Sequence, residues 1–214
     1  MQESDTQPRV LLVEGPDDKH VVIHLSERSG LEQNFWIIEK EGKDTLLDSI
    51  VLEARTPGRT VMGVVLDAND DPNARWQAVT DRLNRLRQED HFDLPDLPAQ
   101  PQSGGTIIDG RLRIGIWLMP DNRSTGELED FVGSMIPSGD PVWPRAQAFI
   151  DGIPPDDRTF APGKIQRAKV HAWLATRESP RPMGLSIKAG DLDTSASNTT
   201  TFVNWLRELF KEMS

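Results

Sequence analysis

Carboxylates gather in three short turns of this 214-residue chain, each directly after an apolar run. Glu14 and Asp18 follow residues 9–13. Asp67, with Asn69, Asp70 and Asp71 close behind, follows residues 60–66, and Glu127, Glu129 and Asp130 come after the run that ends at Leu118. Clustered side-chain oxygens are the surroundings that hard divalent cations such as magnesium or manganese need. The chemistry they offer is that of a bound cation, namely Lewis acidity and activation of water. With no cysteine in the chain, thiol catalysis, thiolate ligation and disulfides are excluded, so a metal must be held by oxygen or imidazole.

Each group also has a structural reading. Asp17 suits a helix N-cap, where aspartate accepts orphan amide hydrogens. Asp71, before Pro72, suits a helix start. Ser124-Thr125-Gly126-Glu127 fits a capping box in which Glu127 reaches back to the Ser124 amide, which leaves Glu129 as the favoured site residue of the third turn. His20 and His24 share a helix face at i, i+4, but no third ligand stands at a fitting spacing, so they read as packing residues. Taken singly the acidic turns are structural; three in order, each after a strand, point to a metal site.

The elements that must position these groups are legible from periodicity. Residues 9–13 form a buried strand that Gly15-Pro16 ends, and residues 18–28 carry Val21, Val22 and Leu25 at helical spacing. A second strand is expected at 35–38, followed by a helix with Leu46, Leu47, Ile50 and Ala54 inward. The nearly unbroken apolar run 60–66 reads as a central parallel strand, and Trp76, Val79, Leu83 and Leu86 mark the next helix. Residues 91–105 read as a loop. Residues 106–108 and 112–118 then look like a hairpin around Asp109-Gly110, and the helix after the third turn is expected to run on to about Ile136. Residues 164–176 and the Phe202, Leu206, Leu209, Phe210 series read as further helices. The expected fold is α/β: a central, mainly parallel sheet flanked by helices over residues 1–137, with a helical C-terminal portion, 138–214, packed against it. Ligands of such sheets bind at the carboxyl ends of the strands.

The strand closed by Glu-Gly-x-x-Asp (Glu14, Gly15, Asp18) resembles the first motif of the Toprim domain, the metal-dependent module of topoisomerases, primases and overcoming-lysogenization-defect (OLD) nucleases. Asp67 matches the first aspartate of the Toprim Asp-x-Asp motif. The second position is Asn69, a departure that withholds a charge, so that Asp70 or Asp71 must substitute or metal binding is weakened. The sequence Gly126-Glu127-Leu128-Glu129-Asp130 is similar to the third acidic element of the OLD-type branch, and the chain as a whole resembles a small stand-alone Toprim-like family. The resemblance implies a Toprim-like, Rossmann-like core and magnesium- or manganese-dependent phosphodiester cleavage of DNA or RNA. The implied metal ligands are Glu14, Asp18, Asp67, Asn69, Asp70, Glu127 and Glu129, with Glu14 moving protons and Asp67 as the other catalytic residue. It also leaves room for a separate ATPase or other protein partner. The alternative is a non-catalytic Toprim-like binding or regulatory module acting through a protein partner.

A net charge of -10 argues against passive adhesion to nucleic acid, whose affinity rests on cations displacing counterions. The charge is unevenly spread. From Lys164 to Lys188 six cations face one acid, Glu178. Lys164, Arg167 and His171 in that segment, together with Lys43 at the helix start after the second strand and Arg123 in the third acidic turn, are the candidate nucleic-acid contacts, although an internal pairing of the basic helix with the acidic core is nearly as strong a reading. There is no Gly-x-x-x-x-Gly-Lys-Ser/Thr loop. With a polar stretch at residues 1–7 and no apolar run of membrane-spanning length, a soluble, cytoplasmic protein is expected.

Overall fold

The computed structural model describes residues 7–90 and 92–212; the polar stretch 1–6 and His91 lie outside the described residues. The order of elements is β1 (Arg9–Val13), α1 (Pro16–Arg28), β2 (Trp36–Glu39), α2 (Lys43–Arg55), β3 (Val61–Asp67), α3 (Pro72–Asp90), β4 (Thr106–Ile108), β5 (Arg113–Met119), α4 (Leu128–Gly133), α5 (Trp143–Asp151), α6 (Ile165–Leu174), α7 (Met183–Ala189) and α8 (Ser197–Leu209). The strands make one sheet in the order β2-β1-β3-β5-β4. All neighbours are parallel except the β4–β5 hairpin, in which Ile107 stands opposite Gly115. The fold is thus α/β with a mostly parallel five-stranded sheet.

The strands are apolar on both sides because both sides are covered. Val10, Leu12, Met62, Val64, Leu66, Ile114 and Ile116 pack under α2 and α3, against Leu46, Ile50, Val79 and Leu83. The alternate residues Leu11, Val13, Val65 and Trp117 face α1 and the C-terminal helices, through Val21, Leu25, Phe202 and Leu206. The buried Trp117, Phe202 and Trp205 rings contact one another, and the Trp205 indole N–H donates to the Thr106 carbonyl at 3.3 Å.

One pair of glycines brings α8 onto the middle of the sheet. Gly63 and Gly115 are register partners on β3 and β5. A Cβ on Gly115 would stand 2.5 Å from Leu209 Cδ2, and one on Gly63 would stand 2.4 Å from Leu11 Cδ1 and 3.0 Å from Leu209 Cδ2. The absence of side chains there opens the trough that Leu209 fills. Among the described residues no helix is long and apolar enough to cross a membrane.

Candidate functional site

The chain leaves β1 toward β2 on one side and passes from β3 to β5 on the other, so strand order reverses between β1 and β3. A crevice opens at the carboxyl ends of the strands at such a point. Glu14 follows β1 directly, and Asp67 ends β3. The Asp67 amide donates to Glu14 Oε1 at 2.9 Å, and Asp67 Oδ1 in turn accepts the Leu128 amide, also at 2.9 Å. One line of hydrogen bonds therefore joins all three acidic turns.

A second tie runs through the backbone. Asn69 and Gly126 exchange both amide bonds, at 2.7 and 2.8 Å, as an isolated antiparallel bridge. Asn69 has φ +52°, in the left-handed region that asparagine tolerates better than most residues. Its side-chain Nδ2 leans toward the Asp67 carbonyl at 3.4 Å. At this position the residue staples the second turn to the third.

Two capping expectations are corrected. Helix α1 begins at Pro16, so Gly15, which has no side chain, is the N-cap rather than Asp17. Asp18 reaches back instead, its Oδ2 accepting the Gly15 amide at 3.1 Å. In the third turn the Ser124 amide bonds to Asp121 Oδ1 at 2.7 Å, and Asp130 Oδ2 accepts the Glu127 amide at 2.8 Å. With the capping done by Asp121 and Asp130, the Glu127 carboxylate is free for other partners. Helix α4 ends at Gly133 instead of continuing to Ile136.

Glu14, Asp17, Asp18, Asp67 and Glu129 line one cleft of about 290 Å³, with Arg167 at its wall. Burial, then the nearby Asp18 and Glu14 charges, push the Asp67 carboxyl up to about 8. Burial and the Glu14 charge push Asp18 up to about 7. Burial also raises Glu14, against the opposing pull of the Asp67 amide and the Arg75, Lys43 and Lys164 charges. Desolvation and like charge act together here to favour the protonated acids.

The basic helix answers the third turn. Lys164 Nζ pairs with Glu127 Oε2, and Arg167 Nε donates to Glu129 Oε1 at 2.5 Å, with a second guanidinium nitrogen 3.7 Å from Glu127. His171 Nε2 lies 3.9 Å from Glu129. Both glutamates are almost wholly buried, at 4% and 2% side-chain exposure, yet Glu127 Oε1 and Glu129 Oε2 have no partner. Among the described residues no three acidic or imidazole side chains form a ready-made metal cage.

The other candidates lie further out. Asp70 lines two adjoining clefts, one with Lys164 and one with Lys43, but not the one around Glu14. Arg123 is exposed on the turn that Asp121 organises and does not line the Glu14 cleft. Sequence reading missed Arg75. It sits in the first turn of α3, its Nε donates to the Asp67 carbonyl at 2.9 Å, and with Lys43 it lines a cleft of about 480 Å³. Its place one turn into the helix after the second acidic turn was the available signal.

A family model, described as protein of unknown function (DUF3226), matches residues 8–211. The chain belongs to the DUF3226 family. No curated protein and no solved structure matches it. The DUF3226 match spans the sheet, the acidic turns and the C-terminal helices alike.

Proposed function

We propose that this DUF3226 chain is a Toprim-like, divalent-cation-dependent phosphodiesterase acting on a DNA or RNA backbone. The observation that carries the reading is the hydrogen-bonded junction of Glu14 and Asp67 at the point where strand order reverses, with Leu128 of the third turn bonded to the same aspartate.

The residues fit a hard cation. Every donor is a carboxylate oxygen; Glu14 and Asp67 each use one oxygen on an amide, and Glu129 keeps a buried oxygen without a partner. Glu14, Asp18, Asp67 and Glu129 would hold magnesium or manganese. When bound, the ion supplies Lewis acidity to a phosphate oxygen and lowers the pKa of water. The chain's own residues supply the rest. Glu14, fixed through one oxygen and raised by burial, is suited to carry a proton to or from the reacting oxygen. Lys43 and Arg75, beside the crevice, are placed to hold phosphate.

The test is cleavage of plasmid and of RNA with magnesium or manganese, comparing the wild type with Glu14→Gln and Asp67→Asn. Loss of activity in both variants supports the reading, and no cleavage by the wild type under any of these conditions overturns it. A second reading, a non-catalytic Toprim-like binding or regulatory module that acts through a protein partner, is favoured by two observations. Asn69 brings no charge, and Lys164 and Arg167 already neutralise Glu127 and Glu129. Stabilisation by metal without turnover would select it.

A further inference from the structure

Lys164 and Arg167 stand against the acidic edge, and the structure around them says why they stay there. Helix α4 meets α6 at Gly133, where a Cβ would stand 2.9 Å from Gln166 Nε2 and 3.4 Å from Val170 Cγ2. That approach sets the first turn of α6 over the glutamates of the third turn. The far end of the helix is tied down as well. The Trp173 indole N–H donates to Asp140 Oδ1 at 3.0 Å, Arg177 pairs with Asp140 Oδ2 at 3.3 Å, and the Arg177 guanidinium lies 3.9 Å above the Trp173 ring. Val170 and Trp173 are fully buried. A helix held at both ends and through its core is not a loose arm, so its two cations are permanent members of the site.

Their targets need them. An almost fully buried carboxylate without a counter-charge is strongly disfavoured, and among the described residues nothing but Lys164, Arg167 and His171 neutralises Glu127 and Glu129 through an ion pair. The opposite side of the crevice is different. Glu14, Asp18 and Asp67 have no ion pair with a basic side chain among the described residues, only amide donors. The five carboxylates thus divide into a pair already matched by cations and a trio that is not.

We infer that the centre takes one divalent ion rather than two, on Glu14, Asp18 and Asp67, while the Lys164 ammonium and Arg167 guanidinium permanently fill the place of a second ion on Glu127 and Glu129. The inference rests on the metal-dependent reading and adds its stoichiometry. A second ion beside Glu127 would lie against an ammonium and a guanidinium. Glu129 can lend its partnerless oxygen to the single ion. Glu127 also keeps one free oxygen, but it lines the neighbouring cleft with Lys164 and not the one that Glu14, Asp18, Asp67 and Glu129 share.

Counting bound manganese by titration calorimetry and electron paramagnetic resonance tests this on the whole chain, without any assay of turnover. The wild type should bind one ion per chain, Asp67→Asn should lose at least tenfold in affinity, and Glu127→Gln should still bind one ion with affinity within a few-fold of wild type. The double variant Lys164→Gln/Arg167→Gln should bind two ions and show a larger rise in melting temperature with manganese than the wild type does. If that variant does not fold without metal, Glu127→Gln still decides, because loss of the single ion in it places Glu127 among the ligands and overturns the assignment. Two ions in the wild type, or one in a folded double variant, also overturn it while leaving the metal-dependent reading intact. No ion in the wild type removes both.

Discussion

Glu14 Oε1 accepts the main-chain amide of Asp67, so the carboxylate that ends the first strand is oriented by the backbone of the third. The bond needs only an acceptor oxygen. A Glu14→Gln change can keep it through the amide oxygen while removing the group that carries the proton.

That variant should therefore fold with a melting temperature at or slightly above the wild-type value, because a repelling charge is gone, and lose about 10²–10⁴-fold in cleavage rate, the usual worth of a positioned acid or base. Thermal denaturation and an initial-rate assay on plasmid or RNA check the two halves separately. A variant that retains full rate would take Glu14 out of the chemistry.

Asp67 and Asp18 make stability depend on pH in a definite direction. Their carboxyls sit at about 8 and about 7 in the fold, against an ordinary value of 3.8, so the folded chain holds protons that the unfolded chain sheds. Their contribution to stability is complete below that ordinary value and is lost as pH rises through 7 and 8. In chelator, the melting temperature should fall from pH 6 to pH 9, and Asp67→Asn should remove much of the slope. Cation affinity should rise over the same interval, because ions and protons compete for the same oxygens. A flat melting curve in the wild type would contradict the burial of these groups.

Removing the cations of α6 should weaken the fold. Lys164→Ala together with Arg167→Ala leaves Glu127 and Glu129 buried and unpaired, a change of about 3 kcal/mol, the low end for a broken buried pair because both cations are partly exposed. Urea denaturation measures it. An unchanged midpoint would mean that the pairs contribute nothing, and would free both residues to hold phosphate instead.

Among the described residues the cations beside the crevice that remain for a phosphate backbone are then Lys43 and Arg75. Among the described residues Lys43 has one ion pair, with the exposed Asp44 at 3.8 Å, and Arg75 has one side-chain hydrogen bond, from its Nε to the Asp67 carbonyl. Replacing both by glutamine should weaken binding of a short single-stranded DNA or RNA at low salt and lower the salt slope by about 0.7 for each phosphate no longer neutralised. Asp70→Asn, which removes a negative charge from the same cleft, should strengthen binding. Equal salt slopes for the wild type and the double variant would place the grip elsewhere.

The sheet and the three acidic turns were legible because their signals are local. The nearly unbroken, short apolar run 60–66 reads as a strand covered on both faces, and the Asp109-Gly110 turn announced the hairpin. What stayed hidden depends on distant residues. That the Glu127 carboxylate is a buried partner of Lys164 and does not reach back to the Ser124 amide follows from Asp121 and Asp130 accepting the amides of this turn, a choice among nearby carboxylates that spacing alone does not decide. Arg75 was missed because one arginine among many on an amphipathic helix carries no mark of its own, and its role follows from a bond to the main chain of Asp67. Asn69 read as a defect in a motif, whereas its left-handed backbone and bridge to Gly126 give asparagine a reason to be there.

The packing of Leu209 over Gly63 and Gly115 has a consequence for how this chain is made. The ribosome completes all five strands before it reaches residue 197, where α8 begins, so until then the glycine floor of the sheet is open to water. The cations that neutralise the third turn, at 164 and 167, also arrive after the last strand. A nascent chain that already carries every carboxylate of the three turns therefore has neither the cover nor the counter-charges that hold them together. The acidic edge is a late product of synthesis, and an N-terminal fragment ending before residue 164 should behave as a collapsed, cation-hungry chain rather than as a small version of the site.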